Sequence, residues 1–377
     1  MFVALAAHAH AQDEPPAFEK PPELHAQDVA SGTLLEGPGF LVEDAAPTDG
    51  FLARFTIRAD VGVFEAHGAD TLAVRVAEIQ ALRALDRAVQ TSAFAEAVEK
   101  AAERAPDAPA LGGPGNGVGS APGIGRFFGA AAAADPAQRD KALRGHEQEV
   151  REIARRLGVD PYTTHPVLAA KLRDVAWISF VGGARRDGLL PSAAPERVAV
   201  PGSGAARARV YDTPRGELVA KNAERMRALG ASDEVVRALG ASRAVSLSAQ
   251  TALVEALGRI PDAQGRGDVL AFASELETAD QALFLVRAIG VLADRHEQGP
   301  LAELRAGSPI VARQQSGQVV AVAPADTLAW TQELAAFARR EDLAAPQRAF
   351  WISGRATSRA RTELESLGWV VHEGVKP

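Results

Sequence analysis

Residues 51–89, FLARFTIRADVGVFEAHGADTLAVRVAEIQALRALDRAV, change their hydrophobic period halfway along. Apolar and polar residues first alternate, through Phe51, Ala53, Phe55 and Ile57, turn at Gly62 and resume at Val63. Period two of this kind marks a small antiparallel sheet with one buried face. From Thr71 the step becomes three and four, through Leu72, Val74, Val76, Ile79, Leu82, Leu85 and Val89, with little Gly or Pro before Pro106. That spacing predicts one long amphipathic helix over about 71–104.

Downstream the signals are mostly helical. A helix over about 136–157 is expected behind Asp135-Pro136, where the aspartate caps and the proline takes the first turn. Leu157-Gly158, Leu229-Gly230, Leu239-Gly240, Leu257-Gly258 and Leu367-Gly368 read as five helix stops, since glycine reaches the left-handed conformation that closes a helix. RALGAS occurs at 227–232 and again at 237–242. One such echo is too short for a solenoid, and Ser232 and Ser242 read as repeated capping.

The C-terminal part changes character. PIVARQQSGQVVAVAPAD reads as two short strands around Ser316-Gly317, and Asp326 is the expected cap of the helix TLAWTQELAAFARR. RAFWISG, ATSRARTELESLG and WVVHEG then read as strand, helix and strand, a compact α/β unit. The expected fold is α+β and predominantly helical, with a small N-terminal antiparallel sheet, a central helical region and a C-terminal α/β unit.

The expected divisions are a signal-peptide remnant at 1–11, a disordered Pro- and acid-rich tether at 12–36, and a small sheet plus long helix at 37–110. A Gly/Ala-rich connector at 111–135, a helical domain at 136–300 and an α/β subdomain at 301–377 follow.

Composition narrows the function classes. With 47% apolar and 24% charged residues, the 377-residue chain sits at the average of globular proteins. A net charge of -7 gives no overall reason to bind nucleic acid, which is not expected as a partner. Arginine outnumbers lysine heavily, and with abundant Ala, Gly and Pro this fits a GC-rich bacterial source. There is no cysteine, which removes disulfides, thiolate nucleophiles, Cys-ligated zinc and iron–sulfur clusters. FVALAAHAHAQDEPP reads as the tail of a signal peptide, cleaved after Ala9-His10-Ala11, with a mature start near Gln12. Because the positive n-region is missing, Met1 is expected to lie inside a longer signal. No later segment approaches the ~20 apolar residues that cross a bilayer, so a periplasmic or secreted location is expected.

The known chemistries of linear motifs are missing. GPGNGVGSAPGIGRFFGAAAAA (113–134) is glycine-rich, but no window fits Gly-x-Gly-x-x-Gly and no strand precedes it. It reads as a flexible connector or, through Ile124, Arg126, Phe127 and Phe128, as a peripheral membrane contact. The eight histidines show no zinc spacing, and no nucleophile elbow or Ser-x-x-Lys set is present. No cofactor and no metal are expected, and no catalytic residue can be named.

Two polar segments are candidate sites. In LGVDPYTTHPVLAAKLRDVAW (157–177), Asp160-Pro161 and His165-Pro166 force two turns that present Asp160, Tyr162 and His165 together. The group reads as a polar patch for a ligand or partner, or as a capped interhelical turn. With FLARFTIRADVGVFEA near the start and RTELESLGWVVHEG near the end, this segment resembles secreted proteins of Gram-negative bacteria that carry no assigned activity. That resemblance implies export and a shared architecture over most of the mature chain, and no mechanism. The second segment is Ser353, Gly354, Arg355 and Arg359, between a strand and a helix, where free N–H groups and arginines could hold an anion. Glu363 and Glu365 could neutralise those arginines instead.

The expected function is therefore a non-catalytic binding or scaffold protein of the cell envelope, whose partner is an envelope protein or a ligand. A periplasmic hydrolase is the alternative, because a carboxylate pair needs no linear motif.

Overall fold

The alternation at 54–67 and the helical period after it fold into facing layers. The computed structural model describes residues 17–104, 136–183, 190 and 199–376. Over these residues it is α+β and helix-rich, 53% helical and 17% strand. The first elements are β1 (Glu23–His25), α1 (Ala26–Val29), α2 (Gly32–Leu35), β2 (Glu36–Gly37), β3 (Phe40–Val42), β4 (Ala45–Pro47), β5 (Arg54–Ala59) and β6 (Gly62–His67). An antiparallel sheet runs in the order β2-β3-β5-β6, and β1 pairs with β4. Phe40, Val42, Phe55 and Ile57 bury one face of it against Leu72, Val76 and Ile79 of α3 (Ala69–Ala88). Each such apolar side chain contributes about 1.5–3 kcal/mol.

Two expectations fail here. The tether at 12–36 gives way to ordered chain from Ala17: Ala26 is buried, and Phe18 packs on the C-terminal unit. Glu19 Oε2 accepts from the Trp330 N–H (2.6 Å) and from Thr357 Oγ1 (2.7 Å). The segment has too little apolar content to fold alone, but a strap laid on a finished surface needs only a few anchors. The helix expected over 71–104 is broken into α3 and α4 (Ser92–Arg104). Thr91 Oγ1 donates to the Ala88 carbonyl (2.8 Å) and accepts from Phe94 N–H (3.2 Å), the side-chain competition that ends one helix and caps the next.

Next come α5 (Pro136–Leu157), α6 (Pro166–Gly182) and α7 (Gly204–Asp212), which share a core with the second face of α3. α4 lies along α6, where Gly182 meets the backbone of Ala97. The remaining helices, α8 (Arg215–Ala228), α9 (Asp233–Ala241), α10 (Leu247–Gly258), α11 (Arg266–Ser274) and α12 (Ala279–Arg295), belong to a different core that continues into the C-terminal sheet. The stretch 136–300 is thus divided between two cores rather than forming one helical unit. Of the five Leu-Gly stops, Gly158 (φ 68°), Gly230 (φ 96°) and Gly368 (φ 82°) take the left-handed turn. Gly240 and Gly258 stay helical, inside α9 and at the end of α10.

The C-terminal unit contains β7 (Leu301–Arg305), β8 (Ile310–Gln314), β9 (Val319–Ala323), β10 (Thr327–Leu328), α13 (Gln332–Ala338), β11 (Arg348–Ile352), β12 (Arg355–Ala356), α14 (Ser358–Ser366) and β13 (Trp369–His372). Its five-stranded sheet runs β13-β11-β9-β8-β7, parallel across β13, β11 and β9 and antiparallel beyond. β9 explains its own apolar run. Val320 and Val322 face the helical core, while Val319, Ala321 and Ala323 face α13 and α14, so a strand covered on both sides has no polar position.

Asp326 does not cap the helix that follows it. That helix starts at Gln332, with Thr331 as its cap. Asp326 reaches instead to the N-terminal unit, accepting from Ala53 N–H (2.9 Å) and from Ala69 N–H (3.1 Å) at the start of α3. The residue at the proper N-cap position of α3 is Gly68, which has no side chain to offer.

Candidate functional site

The corner between α5 and α6 is built by local chemistry. Gly158 closes α5 with a pair of hydrogen bonds, Gly158 N–H to Arg155 O and Val159 N–H to Ala154 O. Asp160 then accepts from the N–H of Tyr162 (2.8 Å), and Thr163 Oγ1 ties the turn to Glu78 of α3 (2.5 Å). His165 Nδ1 accepts from Leu168 N–H (3.2 Å), capping α6 with Pro166 in its first turn.

The structure separates the three residues that the sequence grouped. Asp160 is an internal fastener, buried and held by Ser248 Oγ (2.5 Å) and Ser246 Oγ (3.4 Å). Burial pushes its carboxyl up to about 6, against the downward pull of those hydrogen bonds. His165 is a cap whose ring rests on Phe64 (5.5 Å between centroids), and burial lowers its pKa. Tyr162 alone of the three faces open space.

That space is a cleft of about 1290 Å³ between α5, the corner, α6, the first turn of α8 and the α9–α10 turn. Its walls carry Arg151, Lys171, Arg173, Arg215 and Arg243 against two carboxylates, Glu147 and Asp174. His146 adds no positive charge near neutrality, since burial lowers its pKa. Lys171 is paired with Asp86. A protein of net charge -7 therefore carries a locally cationic cleft.

Two polar atoms in the wall are left over. Arg151 is 6% exposed; its Nε donates to the Tyr211 carbonyl (3.1 Å), while Nη1 is buried without a hydrogen-bond partner. Tyr162 Oη is likewise buried and without a partner. Burial raises the pKa of this phenol, and the charge and hydrogen-bonding reach of the adjacent Arg151 side chain, with the Arg215 charge, oppose that rise. The Arg215 guanidinium lies 5.5 Å from the centroid of the Tyr162 ring. An open donor on a buried guanidinium is costly unless something accepts from it.

The second candidate segment is closed. Gly354 N–H bonds to Ala325 O (2.8 Å), Arg355 N–H to Asp326 O (3.1 Å), Ala356 N–H to Glu373 (2.7 Å) and Ala360 N–H to Thr357 Oγ1 (3.0 Å). Ser353 Oγ donates to Ala325 O (3.0 Å), and Arg359 binds the Ala17 carbonyl (3.0 Å). These donors are spent on joining β12 to its neighbours, on capping α14 and on holding the N-terminal strap. Ile124, Arg126, Phe127 and Phe128 lie outside the described residues.

Arg151 and Arg215 escaped the sequence reading because they come from α5 and α8 and meet only in the fold. One signal for Arg151 existed: it falls in the apolar stripe of α5 beside Val150, Ile153 and Ala154, where a cation needs a reason. Among the described residues no His, Cys, Asp or Glu cluster is arranged to hold a metal, and no helix is long and apolar enough to cross a membrane. Comparison with protein families, with characterised proteins and with solved structures finds no match.

Proposed function

We propose that the protein is an exported, non-catalytic binding protein of the Gram-negative cell envelope and that its ligand sits in the cleft beside Tyr162. The observation that carries this reading is the pair of buried, unpartnered polar atoms, Arg151 Nη1 and Tyr162 Oη, in the wall of a preformed cleft. Export is supported by the signal-like residues at 1–11 and by the absence of cysteine.

A hydrolase remains the second reading for one reason. Glu147 and Asp174 share this cleft, and burial raises the pKa of Asp174 as a general acid would require.

The test is native mass spectrometry of the full chain purified from an envelope extract, beside Arg151→Met. An intact small molecule on the wild type and none on the variant is the expected result. No adduct on either, with no thermal shift from a ligand library, overturns the binding reading. Turnover of a library compound that disappears in Asp174→Asn turns the assignment to the hydrolase.

A further inference from the structure

The unpartnered donors share their cleft with unpartnered apolar side chains. Val167 is 51% exposed and Val219 43% exposed, two of the few large apolar residues left in solvent among the described residues, and both line this cleft. Cationic and apolar parts of the wall are thus presented together. A free inorganic ion would satisfy Arg151 and leave the valines wet; a purely apolar molecule would cover the valines and leave the guanidinium open.

We infer that the cleft takes a small amphipathic anion, an oxyanion head on an apolar body. This deepens the binding reading above and rests on it. The head accepts from Arg151 Nη1 and Tyr162 Oη, whose N–H and O–H are the buried donors of the wall that lack a partner. Arg151 is fixed by its Nε bond to the Tyr211 carbonyl, and Tyr162 by the Asp160 turn and the Arg215 guanidinium over its ring, so both donors are positioned before the ligand arrives. Arg173, Arg215 and Arg243 stand exposed around them and draw anions in from solvent. The body lies along Val167 and Val219. At about 1290 Å³ the cleft is roomier than the ~300–1,000 Å³ of a compact ligand site, which suits an elongated molecule open at one end.

Isothermal titration calorimetry of the full chain tests this with four probes: decyl phosphate and decanoate below their micelle concentrations, inorganic phosphate, and decyltrimethylammonium. Decyl phosphate and decanoate are expected to bind one per chain, and to bind at least about tenfold tighter than inorganic phosphate, since each buried methylene adds about 0.8 kcal/mol. Arg151→Met is expected to weaken both by about 10- to 100-fold, the range for a hydrogen bond to a charged group. Tyr162→Phe, which removes one hydroxyl, and Val219→Ser, an exposed and uncharged change, keep the test open if Arg151→Met does not fold. The first weakens the two amphiphiles and inorganic phosphate alike; the second weakens only the amphiphiles. Stronger binding of decyl phosphate than decanoate identifies a phosphate head, and the reverse a carboxylate.

Equal affinity for inorganic phosphate and decyl phosphate overturns the apolar body. Tighter binding of decyltrimethylammonium than of either anion overturns the anionic head. In both cases a small molecule captured from the envelope extract would leave the binding reading standing. Binding by no probe, with no adduct from the extract, overturns both.

Discussion

Asp326 is half-buried, accepts two backbone N–H groups from another part of the chain, and has its carboxyl pushed up to about 6, chiefly by burial, with Asp70 and Asp49 adding to the rise. A folded pKa above the unfolded one means the native state holds the proton more tightly. The stability tied to that proton is complete below about pH 4 and is lost as the pH rises towards 6, by up to about 3 kcal/mol. Asp326→Asn removes this dependence and leaves a single acceptor for two N–H groups, at a cost of about 1–3 kcal/mol. Urea denaturation between pH 4 and 7 should show a lower stability and a flatter profile for the variant. An unchanged slope would mean that Asp326 is not the group responsible. The aspartate was legible as a helix cap; which helix it caps was not, because α3 begins 257 residues away.

At the scale of elements, helix packing depends on glycines that the period alone does not single out. A Cβ on Gly182 would fall on the carbonyl of Ala97, well inside contact distance, so α4 and α6 approach there because no side chain intervenes. Gly216, in the first turn of α8, has open space around it. Gly182→Ala should cost about 1–3 kcal/mol through forced separation of the two helices. Gly216→Ala should stabilise by about 0.4–1 kcal/mol through the unfolded chain. Thermal unfolding of the two variants separates the effects; a neutral Gly182→Ala would show that the crossing is looser than described. The helical period over 71–104 predicted a helix and was right about its faces, but the break at Thr91 depends on one hydroxyl choosing the backbone on both sides.

At the scale of the molecule, the first and last described parts of the chain lie against each other. Besides the Glu19 bonds, the N–H groups of Asp326 and Ala329 donate to the carbonyls of Phe51 (2.8 Å) and Gly50 (3.0 Å). The N-terminal strap and sheet therefore complete the C-terminal unit. Glu19→Ala should lower the unfolding free energy by about 1–3 kcal/mol, by leaving the Trp330 N–H without its acceptor. Chemical denaturation followed by tryptophan emission measures it. No change would mean that the strap is not seated on Trp330.

The sequence by itself determined the classes of element and their order: the sheet before the helices, the strand–helix–strand ending, and the rigid corner at 157–166. Those follow from periodicity, turn residues and capping, which act over a few residues and are written locally. Tertiary structure alone decided that residues 17–36 are ordered, that 136–300 serves two cores, that Asp326 caps a distant helix and that the Ser353–Arg355 donors are already used. It also decided the cleft. Tyr162 was visible as a residue of a turn, but Arg151, Arg215 and Val219 come from helices far apart in the chain. Only packing could place a buried cation, an aromatic ring and exposed valines around one space.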